Sequence, residues 1–294
     1  MEKYFRKRLI ILPITWLAIA IVHACLLHLS AERPEAWLAT HLSQYQYADA
    51  FSASHYSLTT YFIQALKLNF GISIFYQQPV TQLVLMHIPK TLWLTCATII
   101  PLYCISIVLG FGLSQKYKWA NTIHKALAAY SALPNCLLYA FIFLIHYHYS
   151  PIIDQHQYLI AAGLLVLRRI ASLASFASAC FISEQNQPYV RLAYVRQINT
   201  FRVTTRYLLP NALLPIWTKL PKHFSQILFS GTLSIEVLMA IDGLGRLTFT
   251  ACKYQDYPLI FGCLMIASIL LSLCYLLGDL IQQKINPKLK REYQ

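Results

Sequence analysis

The sequence is poor in charged residues. Only 12% of its 294 residues are Asp, Glu, Lys or Arg, whereas a soluble domain usually carries about 25%. Hydrophobic residues make up 57% of the chain, and the mean hydropathy is +0.49. This composition excludes an ordinary soluble domain and predicts a membrane protein that crosses the bilayer several times.

The chain also lacks the short motifs that carry nucleotide binding or catalysis. It has no G-x-x-x-x-G-K-[ST] loop to cradle phosphates, so if ATP is used, it is bound on another subunit. No metal-ligand cluster and no Ser/His/Asp arrangement with persuasive spacing is present. The eight cysteines include no C-x-x-C pair and fall mostly within apolar runs, which is typical of packing residues. We therefore predict no catalytic residue, no metal site and no cofactor bound by this chain.

Six apolar runs are long enough to cross a bilayer as helices, which takes about 20 residues. They cover residues 9–29, 91–114, 126–146, 157–181, 220–241 and 258–282. The first run follows basic residues, as a signal peptide would, but it is long and five more runs follow, which favours an uncleaved helix. The sequence thus predicts an all-α fold with six transmembrane helices.

Basic residues mark one side of these spans. The amino terminus, residues 115–125, residues 182–219 and the tail are basic, whereas 30–90, 147–156 and 242–257 hold few Lys or Arg. Because positive loops stay in the cytoplasm, both termini are predicted to be cytoplasmic. The net charge of +13 is then a topology signal, and no nucleic-acid partner is expected.

Two arginines interrupt the fourth span. Arg168 and Arg169 fall near its middle, where a charge costs several kcal/mol unless it meets a partner or water. A lipid-facing position is therefore disfavoured. Either the pair lines a hydrated cavity, or it is structural, as a buried ion pair or a charge that reaches an interface. As a functional hypothesis, we assign Arg168, Arg169 and Glu236 to the substrate pathway or its gate.

The basic stretch after the fourth span is too amphipathic for a simple connector. Pro188 suits the first turn of a helix, and the apolar side chains that follow it share one face, namely Val190, Ala193, Tyr194 and Ile198. Asn199 and Thr200 form a break with a helix-capping residue. A second amphipathic segment over 201–208 is predicted to end before Pro210. On periodicity alone, such a basic knob also fits an interfacial anchor on anionic lipid.

The same stretch resembles the cytoplasmic coupling loop of ABC-transporter permeases. That family has the pattern E-A-A, three residues, Gly, nine residues and I-x-L-P, and its dipeptide and oligopeptide branch reads more like YVRTARAKGLS followed by HALRNALLP. The matching positions here are Tyr189-Val190-Arg191, Ala193, Arg196, Leu209-Pro210 and Asn211-Ala212-Leu213-Leu214-Pro215.

Further matches follow in order along almost the whole chain. The family's G-D-x-G-x-S, P-V and P-x-T-L segments resemble residues 69–73, 79–80 and 88–92, and its V-E-x-x-F-x-x-P-G-L-G-R resembles residues 235–246. Asp256-Tyr257-Pro258 resembles its D-Y-P before the last span, and Asp279 with Asn286-Pro287 resembles its closing D and D-P.

The chain departs from the family pattern at several positions. Gln197 stands at the loop glycine, whose freedom to adopt positive φ suits a turn between two short helices. We expect Asn199 to supply the left-handed residue instead. Ser175 and Ser178 replace two arginines that leave the fourth span, and Asp242 replaces the proline before G-L-G-R. These departures favour a divergent Sap-type permease, of the branch linked with antimicrobial-peptide uptake and polyamine transport.

The resemblance implies the architecture of an ABC type I importer in the bacterial inner membrane. Residues 1–29 would hold the cytoplasmic amino terminus and first helix, 30–90 a periplasmic cap segment, and 91–294 a five-helix core with the coupling loop at about 182–219. The implied partners are a second homologous permease, two ATPase subunits that bind ATP and Mg, a periplasmic solute-binding protein and the bilayer. The implied cargo is a peptide, with a polyamine or another small solute as alternatives. An ion-coupled secondary transporter is a less favoured alternative. Such a transporter would more often show a proton relay or inverted repeats, and neither is evident in this sequence.

The resemblance also assigns roles to individual residues. The ATPase-coupling set is Tyr189, Arg191, Ala193, Arg196, Gln197, Leu209 and Pro210. A motif on the periplasmic side comprises Gly243, Gly245 and Arg246.

Overall fold

The computed structural model of the protein describes residues 13–14, 17–19, 21–22, 67, 69–115, 118–133, 144 and 156–285, the side chains at 279 and 281–285 excepted. Most of the first predicted span, nearly all of the cap segment before residue 69, the second half of the third span and the tail after 285 lie outside these residues. Expectations for those segments, Asn286-Pro287 included, and the division at residues 29 and 90 stay predictions.

Helices dominate the described residues, as the sequence predicts. They are α1 (Val80–Ser114), α2 (Lys118–Ala132), α3 (Gln157–Gln185), α4 (Pro188–Val195), α5 (Thr200–Val203), α6 (Leu209–Thr218), α7 (Leu220–Gln226), α8 (Thr232–Leu238), α9 (Leu244–Lys253) and α10 (Tyr257–Ile285). Two π-helical turns join them, π1 (Thr204–Leu208) and π2 (Ile227–Gly231). No strand forms within the described ranges, where one isolated bridge pairs Ile72 with Pro79.

Three of the described helices are long and apolar enough to cross a membrane: Val80–Ser114, Gln157–Gln185 and Tyr257–Gly278. They correspond to the second, fourth and sixth predicted spans. Helix α1 begins at Val80, earlier than the predicted start at 91, because the apolar residues before Pro89 already pack in helical register: Val80, Leu83 and Val84 are buried.

The fifth predicted span, residues 220–241, is preceded by a helix that already packs on the core. Helix α6 already packs along α3, where Ala212 and Ile216 enter the same core as Leu165 and Phe181. After a turn at Lys219, helical structure continues through α7, π2 and α8 to Leu238. Packing against α3 thus starts before residue 220, and the predicted boundary follows the turn inside this helical stretch.

The contacts divide the chain into two compact units. One comprises residues up to Pro89 together with Asp242–Leu273, and its core joins Phe70, Val80 and Leu83 to Leu247 and Phe261. The other comprises Lys90–Ile241 and the chain from Cys274 onward, with a core built from α1, α3, α6 and π2.

Glycine allows a close approach of two helices in the second unit. A Cβ on Gly110 of α1 would lie 2.6 Å from the Ala177 Cβ on α3. Small residues on both helices therefore set the distance between α1 and α3.

Candidate functional site

Helix α4 forms as the sequence predicts. Pro188 occupies its first turn, where the missing N–H leaves no hydrogen bond unmade. Val190 and Ala193 are buried and pack with Val203 and Ile198. Tyr194 was predicted on this face, and that prediction is wrong, because these four side chains complete the small cluster and leave Tyr194 exposed.

The turn after α4 is made by Gln197 itself. Its φ is +57°, its N–H donates to the Tyr194 carbonyl over 2.9 Å, and the Ile198 N–H donates to the Ala193 carbonyl over 3.3 Å. This is the Schellman arrangement, in which glycine usually takes the left-handed position. The expectation that Asn199 would be left-handed is therefore wrong. Gln197 adopts the conformation of the glycine it replaces.

Asn199 acts instead as the amino-terminal cap of α5. Its φ is −53° and ψ is 132°, and its Oδ1 accepts a hydrogen bond of 2.9 Å from the Phe201 N–H. This confirms the predicted break with a capping residue.

The second amphipathic segment does not end before Pro210. Helix α5 continues through π1 into α6, with Pro210 in the first turn of α6. Within π1, the Leu209 N–H donates to the Thr204 carbonyl five residues back. This wider turn makes room for a proline ring, which in α geometry would clash with the carbonyl four residues earlier. The predicted end was wrong because π geometry, which has no clear sequence signal, accommodates Pro210.

One side-chain contact ties the two ends of the loop together. The Asn211 amide donates to the Tyr189 hydroxyl over 3.0 Å and to the Tyr207 carbonyl over 2.8 Å. Tyr189 begins the first matched motif and Asn211 begins NALLP, so the geometry joins two motifs 22 residues apart.

The exposed side of α4 and α5 is both basic and apolar. We call it the coupling surface; its members are Arg191, Leu192, Val195, Arg196, Phe201 and Arg202. Val195 is 78% and Phe201 75% exposed. The sequence has no Asp or Glu between Glu184 and Glu236. A surface of this kind suits an acidic partner that also offers an apolar pocket.

The predicted coupling residues occupy different depths. Arg191, Arg196, Gln197 and Pro210 are exposed, and Tyr189 is 38% exposed, whereas Ala193 is buried and Leu209 is half-buried against the core. The structure thus places the arginines at the surface and Ala193 beneath it, as support for the exposed face.

Arg169 binds into the π2 turn. Its Nη1 donates to Gln226 Oε1 over 2.6 Å, and its Nη2 lies 3.3 Å from both the Gln226 carbonyl and Ser230 Oγ. The main-chain N–H of Thr232 donates to the Ile227 carbonyl five residues back, so the turn is wide and its polar atoms are accessible to the guanidinium. These neutral partners accept hydrogen bonds from both terminal nitrogens of the Arg169 guanidinium. Arg168 is half-buried beside it on α3.

Glu236 on α8 is fully buried. The Thr91 hydroxyl donates to its Oε1 over 2.8 Å, and its main-chain carbonyl accepts from the Ile241 N–H over 3.0 Å. The carboxyl group is thereby held against the start of the second predicted span. Its assignment to the pathway stays a prediction.

The motif on the predicted periplasmic side opens helix α9. Gly243 precedes it with an extended backbone, Gly245 is buried in its first turn, and Arg246 donates to Asp242 Oδ1 over 2.6 Å. The aspartate that replaces the family proline therefore pairs with the motif's own arginine. Such an exposed pair contributes little to stability.

One buried carboxylate was not predicted from the sequence. Asp256 accepts from the Ser73 hydroxyl over 2.5 Å, from the Phe75 N–H over 3.1 Å and from the Leu259 N–H over 3.2 Å. Residues 69–73 and Asp256-Tyr257-Pro258 each resemble a family motif. Their spacing along the sequence could not reveal that the two segments meet. The one available signal was an aspartate just before a helix, which is a capping residue.

Tyr76 belongs to the same region. It lies close to Thr250 and to Arg246, and burial raises the pKa of its hydroxyl despite a hydrogen bond with Thr250 that acts in the opposite direction. Phe75 stacks on Tyr254 with ring centroids 4.0 Å apart. The segment around Ser73 is therefore packed against α9 and the start of α10.

Comparison with known proteins agrees with the motifs. The family model described as "Binding-protein-dependent transport system inner membrane component" matches residues 103–291. The glutathione transport system permease protein GsiC of Salmonella choleraesuis (strain SC-B67) is 25% identical over 305 residues, covering 99% of both chains. The protein of the same name from Escherichia coli (strain K12) is 24% identical over 238 residues, covering 78% of both chains.

Proposed function

The chain belongs to the family of binding-protein-dependent transport system inner membrane components, a permease subunit of an ABC importer, and we propose that its cargo is a peptide. The permease would pair with a homologous second permease in the inner membrane, with both termini in the cytoplasm. Two ATPase subunits would bind ATP and Mg, and a periplasmic solute-binding protein would deliver the cargo.

The coupling surface is the observation that carries the ATP-driven part of this proposal. It presents exposed apolar side chains between arginines, and it continues through π1 and α6 into the core against α3. A partner that moves this surface would therefore act directly on packed helices and not on a flexible loop. ATP-driven closure of the ATPases would move it and switch the permease pair between outward- and inward-facing states, a rigid-body change.

The choice of a peptide rests on two supports. The NALLP and YVR motifs resemble the dipeptide and oligopeptide branch, and the relatives above are named for the transport of glutathione, which is itself a tripeptide. The narrower Sap-type placement, with cationic antimicrobial peptides as cargo, stays a prediction. The transport experiment described next also tests the polyamine and ion-coupled alternatives.

Co-purification and transport test the proposal together. The tagged chain, expressed with its neighbouring genes, should bring down an ATPase pair and a second permease. In proteoliposomes with the solute-binding protein outside and ATP inside, labelled peptides should accumulate. Accumulation of a polyamine but not of peptides would overturn the peptide cargo. Uptake that needs an ion gradient and no ATP would overturn the ATP-driven mechanism.

A further inference from the structure

A row of polar side chains runs along the helical stretch that begins at the turn after α6. Its members are Lys219, Lys222, Gln226 and Ser230, spaced three or four residues apart. Both lysines and Ser230 are exposed, and Gln226 is half-buried. Because residues at this spacing lie on one side of a helix, the four side chains form a single polar stripe.

The stripe borders helix α3 at two points. Arg169 of α3 donates to Gln226 Oε1 over 2.6 Å and lies 3.3 Å from Ser230 Oγ. The Lys219 ammonium lies 5.4 Å from the centre of the Phe176 ring, two helical turns further along α3. The polar stripe and the Arg169 side of α3 are therefore parts of one surface.

This surface lies at the depth of the middle of a membrane span. Arg169 is near the centre of α3, which has 29 residues and is long and apolar enough to cross a membrane. A Cβ on Gly231 would lie 3.0 Å from Leu165 Cδ2, so π2 packs beside the same part of α3. Ser172, three residues after Arg169, is exposed. Charged side chains at this depth face water or a protein partner and not lipid.

The surface is positively charged. The sequence has no Asp or Glu between Glu184 and Glu236. Glu236 is fully buried against Thr91, so its carboxyl group is not exposed on this surface. We call the surface the cationic face; its members are Arg169, Ser172, Lys219, Lys222, Gln226 and Ser230.

We propose that the cationic face lines the hydrated pathway between the two permeases and favours cargo that carries negative charge. A cleft lined by charges of one sign raises the local concentration of the opposite charge. The cargo class indicated is a peptide with a free carboxyl end or acidic side chains, and a polycationic peptide is disfavoured. The inference rests on the proposed import by a permease pair, and it adds the charge of the cargo.

Cysteine labelling tests whether the cationic face meets water. Ser172→Cys and Ser230→Cys each place a thiol on one of the two helical segments. Leu167→Cys is the matched control, because Leu167 is exposed but lies two residues before Arg169 and so on a different side of α3. The full chain with its partners is held in nanodiscs, first without ATP and then with ATP and vanadate. Mass spectrometry of peptides locates the label, so the native cysteines remain in place.

Both serine positions should react with a membrane-impermeant methanethiosulfonate reagent in at least one of the two states. The control position should react at least tenfold more slowly, because its side chain faces lipid. If either serine position stays unreactive in both states, a protein partner covers the face and the pathway assignment is overturned. Reaction of Leu167→Cys at an equal rate would overturn it as well.

The charge of the reagent tests the preference for negative cargo. At Ser230→Cys an anionic methanethiosulfonate reagent should react about tenfold faster than a cationic one, each rate being divided by the rate with free cysteine. This ratio cancels differences in the reactivity of the thiol itself. Adding Lys222→Gln should lower the ratio about threefold, whereas Lys125→Gln, at an exposed lysine on α2, should leave it unchanged. A ratio near one, or a ratio that Lys222→Gln does not change, would overturn the preference.

Uptake of labelled peptides into proteoliposomes separates this inference from the proposed function. The labelling needs no cargo, so the two results are independent. If the labelling pattern holds and no ATP-driven uptake of peptides occurs, the cationic face stands and the proposed peptide import is overturned. If uptake occurs while the serine positions stay unreactive, peptide import stands and the cationic face is overturned.

Discussion

The Ser73 hydroxyl donates a hydrogen bond of 2.5 Å to the Asp256 carboxylate, across 183 residues of sequence. Asp256 is fully buried and also accepts the Leu259 N–H at the start of α10. One carboxylate thus fixes both a helix start and the segment that leads into α1. Two motifs that look independent in the sequence are parts of a single structural element.

Loss of this hydrogen bond is expected to destabilise the protein. Ser73→Ala leaves a buried carboxylate oxygen with one donor fewer, which costs about 1–3 kcal/mol. The midpoint of thermal unfolding of the purified protein in detergent should fall accordingly. Ser131→Ala, at an exposed serine on α2, is the control and should change the midpoint little. Equal midpoints for the two variants would contradict the role of Asp256.

The positive φ of Gln197 leads to a second prediction. A residue with a side chain costs about 1–2 kcal/mol in the left-handed conformation, and glycine avoids this cost. Part of the gain is lost because glycine also has greater freedom in the unfolded chain. Gln197→Gly should therefore raise stability by up to about 1 kcal/mol, measured by denaturant unfolding. Asn199→Ala should lower it by about 1 kcal/mol, because the cap is lost. If Asn199→Gly stabilised the protein more than Gln197→Gly, the left-handed position would be wrongly placed.

Charge reversal on the coupling surface tests its partner. The double variant Arg191→Glu/Arg196→Glu should insert normally but lose most of the co-purifying ATPase and of the transport, because an acidic partner would be repelled. Lys125→Glu, an exposed lysine on α2, reverses one charge outside the surface and should retain both. Retention of ATPase and transport in the double variant would exclude the coupling role.

Arg168 and Arg169 form a matched pair on one helix. Arg169→Ala removes the donors to Gln226 and Ser230 and should cost about 1.5–3 kcal/mol, the range for hydrogen bonds with a charged partner. Arg168→Ala should cost less than about 1 kcal/mol. The two variants are compared by thermal unfolding at equal detergent concentration. Equal losses would show that the contacts with π2 contribute nothing specific.

Two glycines provide a packing test. Gly110→Ala would bring a Cβ within 2.6 Å of the Ala177 Cβ, and overpacking of this kind costs about 1–3 kcal/mol. At Gly163 on α3, a Cβ would have no neighbouring atom within 4 Å. Gly163→Ala should therefore raise stability by up to about 1 kcal/mol, the helix propensity of Ala over Gly. Opposite signs in the unfolding midpoints are expected, and equal signs would contradict the close contact between α1 and α3.

Local chemistry made part of the fold predictable. Pro188 at a helix start, Asn199 as a cap and the buried face of Val190 and Ala193 all follow from rules that act within a few residues. The all-α class followed from the apolar runs, and the family from the order of its motifs. These are features that neighbouring residues determine among themselves.

The errors arose where backbone geometry without a sequence signal, or packing between segments, decides the structure. Pro210 stays within a helix because π1 widens the turn, and helical packing begins before the predicted start of the fifth span because α6 packs on α3. Gln197 takes a left-handed conformation because the 193–198 hydrogen bonds and the packing of Ile198 require it. The contact of Arg169 with Gln226 depends on two helices meeting, which neither sequence segment encodes by itself.

The π2 turn has a consequence for rotational register. A π turn holds one more residue than an α turn, so its conversion to α geometry would rotate the following helix by about 100°. Glu236 lies on that following helix, on the side that now meets Thr91. By binding Gln226 and Ser230 in the wide turn, Arg169 holds the angle at which the buried carboxyl group is presented.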